Sequence, residues 1–92
     1  MKLMKPSKNE IIKEWSWDTE QPPHNVRSKI VRDLNGQFHW SASHYYKPSE
    51  RDGSVYRPSQ TTAGSFEECK ISMDVYMNRF KTQYGVEKCE FY

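Results

Sequence analysis

The spacing of apolar residues divides the chain into segments of different period. The run "NVRSKIVRDLNGQFHWSASHYY", residues 25–46, carries β-branched and aromatic residues on both sides of Asn35-Gly36. That dipeptide tolerates positive φ and suits a tight turn, so the run predicts two antiparallel strands. Along the second, Phe38, Trp40 and Ala42 share one face and Gln37, His39, Ser41 and Ser43 the other, as a half-buried sheet requires. The first alternates less cleanly: Arg27, Lys29 and Val31 point one way, and Val26, Ser28, Ile30 and Arg32 the other. Its basic residues are therefore expected near solvent.

In "SFEECKISMDVYMNRFKTQYG", residues 65–85, the period changes to that of a helix. Ser65 followed by Glu68 forms a capping box, and Glu67 favours the positive end of the helix dipole. Phe66, Cys69, Met73, Tyr76, Met77, Phe80 and Tyr84 recur at spacings of three and four in one stripe, and Gly85 suits the C-terminal end. The spacing predicts a long helix. After it, "VEKCEF" reads as a short strand with Cys89 and Phe91 on one face. Within "KPSERDGSVYRPSQTTAG", residues 47–64, Asp52-Gly53 marks a second turn, and Ser54 to Arg57 a short third strand that Pro58 would end.

Nearer the start, "PSKNEIIKEW" admits two readings. Ser7 with Glu10 forms another capping box, and the four-residue spacing of Ile11 and Trp15 suits a short first helix; Trp15 and Trp17, however, alternate about Ser16 as in a strand. The two prolines of "DTEQPPHN" break either pattern and mark a connector. The expected fold class is α+β: one small domain, 1–92, with a small antiparallel sheet packed by a long C-terminal helix across its Phe38/Trp40 face, and a short N-terminal helix left open.

Composition narrows the function classes. A chain of 92 residues buries only about 60 to 65% of its unfolded surface, which leaves little space for an enclosed active site. Hydrophobic residues make up 35% and charged residues 28%, so the core must come from a few aromatics, methionines, Ile and Val. Aromatics at 14%, with clear periodicity, distinguish the chain from a disordered one. A net charge of +2 excludes the bulk electrostatic footprint of histone-like proteins. No apolar run is long enough for a signal peptide or a membrane span, so a cytoplasmic protein is expected. In that reducing setting Cys69 and Cys89 are expected as free thiols.

His39, His44, Cys69 and Cys89 are ligand types for zinc, but no Cys-x-x-Cys occurs, and the two histidines are an odd number of residues apart. Surface histidines and core cysteines account for them, and no metal or other cofactor is expected. A nucleophilic Cys/His pair is equally unsupported: Cys69 lies on the apolar helix stripe, and no oxyanion loop or third orienting residue accompanies Cys89. Glu67 and Glu68 are explained by capping. No catalytic residue is assigned.

Binding makes better use of "FHWSASHYYKPSERDGSVYRPSQ". Between His24 and Pro58 six basic residues, Arg27, Lys29, Arg32, Lys47, Arg51 and Arg57, face only Asp33, Glu50 and Asp52. With Tyr45 and Tyr46 among them they form a candidate site that pairs with phosphates and stacks on bases, or serves a protein partner, since Tyr and Arg are enriched at interface hot spots. A stand-alone nucleic-acid-binding or regulatory protein with a basic, aromatic sheet surface is the alternative within this class.

Taken together, "KIVRDLNGQFHWSAS" followed by "GSFEECKISMDVYMNRF", a strand, an Asn-Gly turn, a strand and a capped helix, resembles small phage-encoded proteins that bind host machinery, in particular anti-CRISPR proteins that block the type I-F surveillance complex. These segments cover under half of the chain. Such proteins share no motif, so the site residues remain those read above. The resemblance implies a non-enzymatic inhibitor in the host bacterial cytoplasm. It would dock on the CRISPR RNA-guided complex, with the Cas backbone subunits and the guide RNA as candidate partners, and block target DNA binding. It implies no small-molecule substrate and no membrane.

Overall fold

In the computed structural model, which describes residues 10–90 and 92, the run around Asn35-Gly36 forms a hairpin. Strand β2 (Asn25–Arg32) pairs antiparallel with β3 (Phe38–Ala42), Arg32 opposite Phe38 and Ser28 opposite Ala42. Its turn is closed by the Gly36 N–H donating to Asp33 O at 3.1 Å, with Gly36 at φ +81°. There L side chains are disfavoured. One Asp33 carboxylate oxygen accepts from the N–H groups of Asn35 and Gln37, at 2.8 and 3.0 Å, which secures the turn.

The strand β1 (Glu10–Asp18) pairs with the other edge of β2. Residues 10–18 are thus extended, and no helix forms there, whereas Ser7, which would have capped one, lies outside the described residues. Tertiary packing decides the ambiguity: Trp15 and Trp17 fall opposite Ser28 and Val26, on the side that faces the helix. The Trp17 indole N–H donates to the fully buried Ser28 hydroxyl at 2.8 Å, satisfying the one buried polar side chain of this strand.

The long segment after β3 departs from expectation in two places. Ser54 to Arg57 makes only an isolated bridge, Tyr56 to Tyr46, and the third hairpin partner is instead β5 (Thr62–Ala63), which adds to β3. The run 38–46 is also not one strand. At Ser43 the chain leaves the four-stranded sheet, ordered β1-β2-β3-β5, and β4 (His44–Tyr46) pairs with β6 (Val86–Lys88) in a second, two-stranded sheet. Phe91, expected beside Cys89, is outside the described residues.

Helix α1 spans Phe66–Asn78, with Ser65 as N-cap accepting from the Glu68 N–H. It stops short of Tyr84 and Gly85. The N–H groups of Arg79 and Phe80 turn back to Tyr76 O and Met77 O, three residues away, which tightens and ends the last turn. Chain return explains the stop, because Val86 must reach Tyr46 to form the second sheet. Gly85, at φ +129°, serves that return rather than the helix: its carbonyl accepts from Lys47 N–H at 2.9 Å, and a Cβ there would sit 3.2 Å from Lys47 Cδ.

The core lies between the four-stranded sheet and α1. Val26, Ile30, Trp40 and Ala42 face Cys69, Met73, Tyr76 and Met77, with Trp15, Phe66 and Phe80 closing the margins. Each large apolar side chain buried here contributes roughly 1.5 to 3 kcal/mol. Trp40 joins three parts of the fold: its ring lies 5.4 Å from Tyr76, and its indole N–H is shared between Gln60 O and the Ser72 hydroxyl, at 3.2 and 3.3 Å. Trp40→Ala is expected to cost about 3 to 5 kcal/mol, against less than about 0.5 for Leu34→Ala on the exposed turn. Urea denaturation of both variants checks this, and equal losses would contradict the assignment of Trp40 to the core.

Candidate binding surface

The register between β1 and β2 decides the electrostatics of the basic strand. It places Glu10 opposite Arg32 and Glu14 opposite Lys29, with Arg27, opposite Ser16, two residue pairs further along. Opposite charges across a strand pair attract, and here they meet. An Arg32 guanidinium nitrogen lies 2.9 Å from a Glu10 carboxylate oxygen, and Arg27 lies 3.8 Å from Glu14. Lys29 donates to the main-chain oxygen of Tyr92 and holds its ammonium 4.3 Å from that ring's centre. The Tyr92 hydroxyl in turn donates to Glu14. Burial first, and then this carboxylate neighbour, push the Tyr92 phenol well above its ordinary pKa.

A second network forms on the small sheet. Arg57 lies 3.2 Å from Glu87 and places its guanidinium 5.4 Å from the Tyr45 ring centre, a cation–π contact. The Tyr45 hydroxyl meets Cys89 Sγ at 3.1 Å, and that contact, with burial, raises the phenol's pKa. Ser43 links the backbones behind the two networks: its hydroxyl accepts from Arg27 N–H at 2.8 Å and its carbonyl from Cys89 N–H at 2.8 Å, while the hydroxyl also hydrogen-bonds His44 Nδ1 at 2.7 Å. Burial and the nearby Lys88 charge keep the His44 imidazole below its ordinary pKa.

Four of the eight candidate residues, Arg27, Lys29, Tyr45 and Arg57, thus belong to two adjoining networks, whereas Arg32, opposite Phe38, lies on the helix side of the sheet and pairs there with Glu10. The other three stand apart. Tyr46 is a core residue, 3% exposed, with ring centres of Phe80 and Tyr76 at 5.1 and 5.2 Å, so it offers no face for stacking. Lys47 lies along Gly85, and Arg51 is exposed in the turn that Ser49 and Asp52 close through a 2.8 Å hydrogen bond. Glu10, Glu14, Glu87 and Tyr92 are partners that reading the basic run alone passes over. The alternation of Glu14 and Ser16 against Trp15 and Trp17 is the signal that would have placed Glu14 on the outer face.

Among the described residues no three His, Cys, Asp or Glu side chains gather at a point where a metal ion could bind. His39 is held otherwise, with Nε2 2.7 Å from Asp33 and Nδ1 2.9 Å from the Thr62 hydroxyl. This chain fastens the hairpin turn to β5. Cys69 is fully buried, and burial pushes its thiol pKa up, which makes it unreactive.

The hydrogen bond from His39, and then the N–H groups of Gln37 and Asn35, hold the Asp33 carboxyl below its ordinary value of 3.8. A depressed folded-state pKa stabilises the fold above the unfolded value, and that contribution is lost as pH falls through the folded one. The melting-temperature difference between wild type and Asp33→Asn is therefore expected to be constant above about pH 5 and to shrink below it. A difference unchanged down to about pH 2 would contradict the tether.

No protein-family model, no curated protein and no solved structure matches this chain.

Proposed function

We propose that this chain is a non-enzymatic binding protein that docks through the outer face of its sheet. The observation that carries this reading is the pairing, on that face, of Arg27 with Glu14 and of Lys29 with Tyr92. A surface built to hold phosphates presents cations without counter-charges, because affinity comes from neutralising the phosphate chain. Here Arg27, Lys29 and Arg57 already have partners, and what remains is an ordered, mixed-charge face with Tyr45 and Tyr92 among them. That composition suits a protein partner, for which alternating charges set register and Tyr and Arg supply hot spots. Each exposed ion pair stabilises the fold by only about 0.2 to 1 kcal/mol, so the networks matter more for holding side chains in place than for stability.

The resemblance to type I-F anti-CRISPR proteins supplies the partner: a CRISPR RNA-guided surveillance complex in the host bacterial cytoplasm, engaged at its Cas backbone subunits, with target DNA binding blocked. In this arrangement Glu14 and Glu87 meet basic side chains of a subunit that holds RNA and DNA. Contact with the guide RNA is secondary in this reading.

A mobility-shift assay tests it, with labelled target DNA and a purified type I-F complex, with and without this protein, and with the protein alone as a further lane. The expected result is loss of the complex-bound band, no shift by the protein alone, and recovery of the band when Arg27, Lys29 and Arg32 are all replaced by Glu. An unaffected complex would remove the inhibitor reading. A shift by the protein alone would favour a stand-alone nucleic-acid-binding protein.

A further inference from the structure

Helix α1 buries one side and exposes another that is not purely polar. Glu67, Ile71, Val75 and Arg79 follow one another at intervals of four and so form a single ridge along the helix. Ile71 and Val75 are 64% and 48% exposed, although charged or polar residues would ordinarily occupy such positions. The ridge ends in acid at the N-terminus and in Arg79 at the C-terminus. Among the described residues, Glu67, Glu68 and Arg79 take part in no ion pair. Beside the ridge runs a groove of about 390 Å³, with Ile71, Val75 and Arg79 on one wall and Tyr56 and Pro58 on the other. Tyr56 is itself half exposed.

We propose that this face docks on a second copy of the same chain, with the two α1 helices antiparallel about a twofold axis level with residue 73. The ridge is self-complementary in that arrangement alone. Glu67 of each copy meets Arg79 of the other, and Ile71 meets Val75. A parallel pairing would set Glu against Glu and Arg against Arg. The apolar ridge of each copy enters the groove of the other, as in ridges-into-grooves packing, and the interface is isologous. Favourable helix-dipole placement explains Glu67, Glu68 and Arg79 one at a time, but it gives no reason for two exposed β-branched residues between them. The outer sheet face lies on the opposite side of the sheet from α1, so a dimer leaves both copies of it open.

Sedimentation velocity on the full chain, from low to high micromolar concentration, tests the proposal. The expected result is a concentration-dependent rise from 11.0 kDa toward twice that mass. Ile71→Asp and Val75→Asp are expected to remain monomeric throughout, and to melt as the wild type does at concentrations where the wild type is itself monomeric, since both sites are exposed. Arg79→Glu is expected to weaken association about tenfold, and adding Glu67→Arg and Glu68→Arg to restore it, although all three changes oppose the helix dipole. Circular dichroism follows the helix separately. A monomer at every concentration would overturn the proposal, as would a dimer indifferent to these variants or a groove taken up by a different protein while this chain stays monomeric.

Discussion

Val26, Ser28 and Ile30 are fully buried against α1 while Arg27 and Lys29 point outward, and a one-residue slip of β2 would exchange the two sets. Such a slip would bring two cations into the core without partners, at a cost of several kcal/mol each. The rest of the molecule follows from this register. It sets Trp15 and Trp17 on the inner side of β1 and Glu14 on the outer side, and it aligns Trp40 over Ile30 to receive the helix. Ser28 is the one polar group in the buried row, and the Trp17 indole satisfies it.

The aromatic residues then divide the labour between core and surface. Tyr46, Tyr76, Phe80 and Trp40 form a continuous cluster beneath the second sheet and the helix end, with the Tyr76 hydroxyl donating to Tyr56 O at 2.8 Å. Burial raises the Tyr46 and Tyr76 phenols above their ordinary pKa, so both stay neutral over the physiological range. Tyr45, the neighbour of Tyr46 in sequence, turns the other way and carries the Arg57 contact. One strand thus supplies a core residue and a surface residue in adjacent positions, as a period of two dictates.

Local patterns in the sequence make much of this legible. Asn35-Gly36 marked the hairpin, Ser65 with Glu68 marked the helix start, and the alternation of Phe38, Trp40 and Ala42 marked the buried face. Long-range pairing was not legible. Nothing near Ser43 announces that the chain changes sheets, since the reason lies in residues 86–88. The helix ends at Asn78 for the same reason, although the apolar stripe runs on to Phe80 and Tyr84. In the candidate site the basic residues were visible and their neutralisation was not, because residues 10–17 read equally well as helix or strand, and only a strand sets Glu10 and Glu14 against β2. Tyr46 looked like a stacking residue because type and neighbourhood do not reveal which of two adjacent tyrosines the core takes.

β1 sets Glu10 and Glu14 against the basic strand, and the proposed protein-binding role rests on that neutralisation. Fluorescence anisotropy of a labelled single-stranded oligonucleotide at low salt tests it most directly, comparing wild type with a Glu10→Gln, Glu14→Gln double variant. No binding by the wild type is expected, and binding by the variant that weakens steeply with added salt as counterions are released. Salt-sensitive binding by the wild type, unchanged in the variant, would contradict it.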